Sequence, residues 1–308
     1  MGKKVEKEIE IELVDSDNIC PDDKKRKFTL SDAIRYVIMI LALCMFSYAS
    51  YELTLIYING QEAKSAGQEV SDLFEVNLEE NTNDYYNVNG DKIDFNVTNG
   101  TAFVWNYDKI LEYNPDAKGY IRQGVGLYID NPIVQHASDN EYYLNHLANN
   151  SPSGVGSIFI DYRIEEGMNA KNPILYAHNV KEWANHIMFG SLKFYYDNPS
   201  YGEANPTMDI YIGDHHYVYY VYAIFKTDAV GSSVYKWSFE SDEEFLEYAK
   251  QHKEMTQYGF SRAPELTADS YILTLSTCTD EEDKRMIVQL VRGEEIFDVP
   301  IDSDEEAE

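Results

Sequence analysis

Polar and apolar residues sort this chain into consecutive stretches. Met1 to Asp32 is densely charged, with a basic cluster at Lys24-Lys25-Arg26-Lys27, and holds too little apolar surface to build a core, so it reads as a cytoplasmic tail, 1–32. The alternation Glu8-Ile9-Glu10-Ile11-Glu12-Leu13 would suit a strand edge or a docking segment, but a solvated tail explains it as well. An uncharged run then extends from Tyr36 to Tyr51, the core of a single transmembrane helix assigned to 33–51, with tyrosines near both ends. Positive charge on its N-terminal side predicts that everything after Glu52 is exported. Ser47 and Ala49 also form a weak small-residue cleavage site, so a signal peptide is the alternative.

Beyond the apolar run, Leu55, Ile56, Ile58, Val70, Leu73 and Phe74 suggest a helical stalk interrupted at Gly60 and Gly67, the start of a stalk or linker at 52–102. Residues 76–101, rich in Asn and Gly, read as loop, and the triplets opened by Asn96 and Asn99 are too short to carry weight. A folded domain spans 103–299. Trp105 to Tyr113 is a predicted helix that stops before Asn114-Pro115, because the residue ahead of a proline is pushed out of helical geometry. Strands are predicted at 120–121, 125–129, 132–135, 156–162, 173–177, 208–212 and 217–225, several with period-two alternation. Short helices are predicted at 141–147 and 242–252, the second with acids in its first turn where the helix dipole favours them. Two more apolar strands follow, Tyr271 to Cys278 and Arg285 to Val291, and the chain ends in an acidic tail, 300–308. Many short strands punctuated by Gly, Pro and Asn predict a mainly β fold with accessory helices, closed or nearly closed into a barrel.

Charge narrows the partners. A formal net charge of -29 leaves no basic face for phosphates, which excludes a nucleic-acid partner. Of the three cysteines, Cys20 lies in the charged head and Cys44 in the apolar run, so the exported part holds Cys278 alone and forms no internal disulfide.

Cys278 sits where one strand ends and Arg285 where the next begins. A cation stabilises the thiolate, the reactive form of cysteine, so this thiol is placed to react; the plainer alternative is a small buried core residue. A cysteine nucleophile usually works with a histidine. His178 follows a strand directly, as Cys278 does, whereas His215 and His216 fall in a tight turn that suggests solvation. His136, His146, His186 and His252 lie in loops or on helices without a partner motif. No cysteine pair or helical histidine pair is spaced for zinc, and no twelve-residue calcium loop is present, so neither a metal nor a cofactor is expected.

Together Leu275-Ser276-Thr277-Cys278, Tyr176-Ala177-His178-Asn179 and Arg285 resemble the sortases, and further stretches resemble class B members of that family. These are Asn114-Pro115-Asp116 with Gly119-Tyr120-Ile121, Asp139 to His146, Gly156 to Tyr162, Met188-Phe189-Gly190-Ser191-Leu192 and the helix near 242–252. The similarity runs from about Phe103 to Val291, departing from the family at Ala177, where glycine is usual before the histidine. It implies a closed eight-stranded barrel and a cysteine transpeptidase. By that resemblance Cys278 attacks a C-terminal sorting signal of an exported protein, and an amine of a peptidoglycan precursor, or a pilin lysine, takes the acyl group. His178 would shuttle the protons and Arg285 hold the carbonyl or oxyanion. Arg292, seven residues along the same strand, falls on the opposite face by alternation. Ser276 and Thr277 are candidate substrate contacts. A hydrolytic cysteine protease and a non-catalytic anchored scaffold are the alternatives of other classes.

Overall fold

The computed structural model describes residues 29–80, 83–98, 100–123, 129–182, 185–281 and 283–301. The alternating segment at 8–13, all but the last residue of the strand expected over 125–129 and most of the acidic tail lie outside these. Chain contacts divide the molecule into two compact units, Met1–Leu53 and Thr54–Glu308.

Helix α1 (Leu30–Asp72) is continuous through both glycines that were expected to interrupt it. Glycine weakens a helix interior by roughly 0.5–1 kcal/mol, a cost that packing can override. Here Gly60, Ala63, Ala66 and Val70 are buried, a spacing that lines one helical face with small residues. Ala63, Ala66, Gly67 and Val70 lie against Asn131, Pro132, Leu147 and Ile158. The stretch expected as a free stalk is therefore part of the second unit from Thr54 onward. The N-terminal part of α1 is long and apolar enough to cross a membrane, and its large apolar side chains from Ile34 to Phe46 are exposed.

A short ribbon follows, β1 (Glu75–Asn77) against β2 (Thr101–Phe103), then α2 (Tyr107–Tyr113). Asn106 caps α2 by accepting from the Lys109 amide, and Asn114 closes it ahead of Pro115 as expected. Phe74, Trp105 and Tyr120 form an aromatic cluster with ring centroids 4.9–5.7 Å apart.

The remaining strands are β3 (Ala117–Gln123), β4 (Asp130–Val134), β5 (Ile158–Ile160), β6 (Ile174–Tyr176), β7 (Asn179–Glu182), β8 (Asn185–Met188), β9 (Thr207–Ile212), β10 (His215–Asp228), β11 (Ile272–Cys278) and β12 (Lys284–Ile296). Among the described residues eight of them close a barrel in the order β10-β12-β11-β6-β5-β4-β3-β9, so the expected closed eight-stranded barrel is present. Strands β7 and β8 form a separate hairpin that alternation did not reveal, and α3 (Leu192–Asp197) and α4 (Pro199–Ala204) follow it.

The helix expected over 141–147 is absent: the segment folds as successive turns. Asp139 accepts from the Glu141 amide and Asn149 from the Ser151 amide, side-chain bonds that compete with helical ones. Helix α5 (Asp242–Glu254) forms as expected, capped by Ser241 and opened by Asp242, Glu243 and Glu244.

Alternation along β11 and β12 separates two cores. Leu273, Leu275, Met286, Val288 and Leu290 fill the barrel interior, whereas Ile272, Ile287 and Val291 face outward and pack beneath Phe245 and Ala249 of α5. That outer face carries the candidate site.

Candidate active site

Strands β11 and β12 pair antiparallel with Cys278 directly opposite Arg285 and Ser276 opposite Ile287. Directly opposed residues share a face with Cβ atoms roughly 5 Å apart, so Cys278 and Arg285 are neighbouring positions on the outer face. Strand β6 runs parallel to β11, pairing Tyr176 with Ser276. Strand β6 ends with that pair and β11 runs on to Cys278, so His178 and Cys278 each lie two residues past the Tyr176–Ser276 pair, towards the same rim. Further bonds extend the register: the Ala177 amide donates to the Ser276 carbonyl at 3.4 Å and Thr277 Oγ1 donates to the Ala177 carbonyl at 2.8 Å. Asn179 Nδ2 donates to the Cys278 carbonyl at 2.9 Å, pinning the thiol residue to the residue that follows the imidazole. Its Oδ1 is shut from solvent without a hydrogen-bond partner among the described residues.

His178 is half-buried, and its Nε2 donates to the Leu144 carbonyl at 3.0 Å. In the neutral ring that bond puts the proton on Nε2 and the lone pair on Nδ1. The His178 carbonyl accepts from the Phe189 amide at 3.2 Å, which ties the β7–β8 hairpin back to the site. Gly190 follows, and any Cβ there would collide with the Val180 carbonyl of the same hairpin.

Cys278 is exposed, unlike a core cysteine. Beside it opens a small cleft of about 70 Å³ lined by Asn179, Phe189, Lys193, Asp197, Lys226 and Asp280 together with Thr277 and Met286. Arg285 Nη1 donates to the Lys284 carbonyl at 2.9 Å. Arg292 is elsewhere: its Nε donates to Tyr219 Oη at 2.9 Å and its guanidinium lies 4.4 Å from the ring centres of Tyr217 and Tyr271.

The candidate substrate contacts divide. Ser276 shares the face of Cys278, with Oγ 3.1 Å from Tyr235 Oη; Thr277 points the other way, its hydroxyl spent on Ala177. Tyr235 was not foreseen from sequence, because it lies in an irregular segment with no strand or helix period. Burial pushes its phenol up, opposed by the Ser276 hydrogen bond and by Arg285, with Cys278 adding to the rise.

The other histidines are placed differently. His216 is the second residue of β10 and is buried, not solvated as its turn context suggested. It bonds Asp298 at 2.8 Å and Asp209 at 3.0 Å and stacks on Tyr211. Burial alone would lower its pKa, but the two carboxylates outweigh that and raise it to about 9. His252 is buried under α5, where desolvation lowers its pKa to about 4. No group of three or more His, Cys, Asp or Glu side chains is arranged to hold a metal among the described residues.

No protein-family model matches the chain. Sortase B of Listeria monocytogenes is 32% identical over 183 residues, covering 58% of this chain and 71% of that protein. Sortase B of Staphylococcus aureus is 26% identical over 185 residues, covering 59% of this chain and 72% of that one. Among solved structures, sortase B from Listeria monocytogenes matches with a TM-score of 0.51 at 30% identity, over 60% of this chain and 99% of that one. Clostridium perfringens sortase B matches with a TM-score of 0.54 at 27% identity, over 61% and 100%. A Staphylococcus aureus sortase B–substrate complex gives a TM-score of 0.54 at 26% identity, over 61% and 84%. Sequence shared across most of a curated relative, on the same closed barrel, shows that this chain belongs to the class B sortases and is a cysteine transpeptidase.

Proposed function

We propose that the chain is a membrane-anchored sortase that cleaves the C-terminal sorting signal of exported proteins and transfers them to a peptidoglycan amine. The observation that carries this reading is the opposition of Cys278 and Arg285 across β11 and β12, with His178 two residues past the end of the adjacent strand β6, at the same rim.

In the first half-reaction Sγ of Cys278 attacks the scissile carbonyl carbon while its proton passes to Nδ1 of His178, the nitrogen not committed to Leu144. As the carbon–nitrogen bond breaks, that proton moves to the leaving amine, and the acyl group stays on sulfur as a thioester. In the second half an incoming amine attacks the thioester carbonyl and gives its proton to Nδ1. A new amide bond forms, the carbon–sulfur bond breaks, and the proton returns to sulfur. Arg285 stabilises the oxyanion in both halves, and a fixed cation in a water-poor cleft is worth several kcal/mol to such a state. Thr277 lines the cleft beside Cys278 and holds β11 in place through Ala177, while Ser276, buried and bonded to Tyr235, backs the thiol on the other face of the strand.

The apolar part of α1 would hold the enzyme in the membrane, with 1–32 on the cytoplasmic side and the barrel outside. Tethering enzyme and membrane-held substrate in one layer raises their effective concentration.

The test is incubation of the full chain in detergent with a library of sorting-signal peptides and candidate amines. The expected result is an amine-dependent ligated product. Peptide hydrolysis indifferent to added amine would replace this reading with a protease, and binding without cleavage would replace it with a scaffold.

A further inference from the structure

Resting on that reading, we propose that Arg163 and Trp237 are positioning residues: a latch that holds the segment carrying Tyr235 against the reactive thiol. Four consecutive residues after β10 are each held by a different part of the molecule. The Val234 carbonyl accepts from Tyr248 Oη of α5 at 2.5 Å, and Tyr235 Oη meets Ser276 Oγ at 3.1 Å. The Lys236 carbonyl accepts from Asn172 Nδ2 at 2.7 Å, and the Trp237 ring centre lies 5.1 Å from the Arg163 guanidinium carbon.

Asp161, whose side chain is fully buried, orients Arg163 with a fork of two hydrogen bonds: Nε to Oδ1 at 2.8 Å and Nη2 to Oδ2 at 2.6 Å. Tyr176 Oη also donates to Asp161 Oδ2, at 3.2 Å, two residues before His178. The Tyr162 amide donates to Asn140 Oδ1 at 2.9 Å, in the segment whose Leu144 carbonyl holds the imidazole. The turn at 161–163 thus touches three segments of the site: β6, which leads to His178, the Leu144 turns and the Tyr235 segment. The Asn172 and Tyr248 anchors belong to a buried polar network, whereas the Arg163 side chain is 51% exposed. An exposed anchor is the one that releases first, so Arg163–Trp237 sets how firmly Tyr235 is seated.

The test uses the full chain in detergent with Trp237→Leu, Trp237→Phe and Arg163→Met, the tryptophan variants leaving the Asp161 fork intact in case Arg163→Met fails to fold. Trp237→Leu is expected to lower kcat/KM for a sorting-signal peptide about tenfold, mainly by raising KM, with Trp237→Phe restoring most of it. Alkylation of Cys278 by a bulky maleimide, resolved from Cys20 and Cys44 by peptide mass spectrometry, should rise about fivefold in Trp237→Leu as the segment opens. If folded, Arg163→Met combined with Trp237→Leu should be no worse than the worse single change. The latch is overturned if Trp237→Leu lowers thermal stability but leaves both KM and Cys278 alkylation within twofold of wild type. It is also overturned if the two changes multiply. If the wild type turns over no sorting-signal peptide, the functional reading fails, while the alkylation ratio still decides the latch.

Discussion

Strands β11 and β12 present the same outer face along their whole length, yet its two ends are built in opposite ways. Under α5 the face is closed: apolar side chains surround a buried polar network centred on Gln289. Gln289 donates to Tyr248 Oη at 3.1 Å and Thr274 Oγ1 at 2.9 Å, and accepts from Tyr222 Oη at 2.8 Å and His252 Nδ1 at 3.1 Å. At the rim, further along the same ladder, Cys278 is exposed and Arg285 and His178 are only half-buried. Burial with full hydrogen bonding rigidifies one end, and that rigid end fixes where the open end points. The difference teaches that the chemistry depends on which end of a shared face the helix leaves uncovered.

Altering the open end should remove function without unfolding, and altering the closed end should do the reverse. Cys278→Ala is expected to abolish turnover of sorting-signal peptides while thermal denaturation stays at the wild-type midpoint. His178→Ala should lower kcat by up to about four orders of magnitude, or about 5.5 kcal/mol, with the same unchanged midpoint. Gln289→Leu strips partners from Thr274, Tyr222, Tyr248 and His252 together, so a stability loss of about 4 kcal/mol is expected in denaturant titration. The fraction that remains folded should keep its turnover.

The closed end also has a pH signature. His252 has a folded pKa of about 4 against 6.5 for the unconstrained group, so folding favours its neutral form. Its stabilisation is complete above 6.5 and disappears as pH falls through 4, a loss of about 3 kcal/mol across that window. His216 has the opposite sign: with its pKa raised to about 9, its contribution is complete below 6.5 and lost as pH rises through 9. Denaturant titrations across pH should therefore show a flattened acid limb in His252→Leu and an unchanged alkaline limb. The smallest expected effect is Arg285→Lys, about a hundredfold in kcat or about 2.7 kcal/mol, because an ammonium does not reproduce a planar fork of donors. Wild-type rates there would transfer oxyanion stabilisation to backbone amides.

The two ends were not equally legible in the sequence. Apolar runs with clear turns on either side gave β9 to β12, and Ser241 with three following acids gave α5. Hence Cys278 and Arg285, separated by one short loop, were visible as a pair. His178 showed itself as a strand-end residue, but its parallel pairing with β11 joins segments about a hundred residues apart and has no local signal. The turns at 141–147 and the β7–β8 hairpin escaped because side-chain hydrogen bonds and a mixed polar strand leave no hydrophobic period. Tyr235 escaped for the same reason, and Gly60 and Gly67 misled because packing of small residues outweighs their helix propensity.

Mass spectrometry of the intact chain quenched soon after addition of a sorting-signal peptide, without amine, tests the central claim most directly. The expected result is a single acyl adduct on the peptide containing Cys278, discharged by added amine and strongly reduced in His178→Ala. An adduct on Cys20 or Cys44, or full turnover by Cys278→Ala, would contradict it.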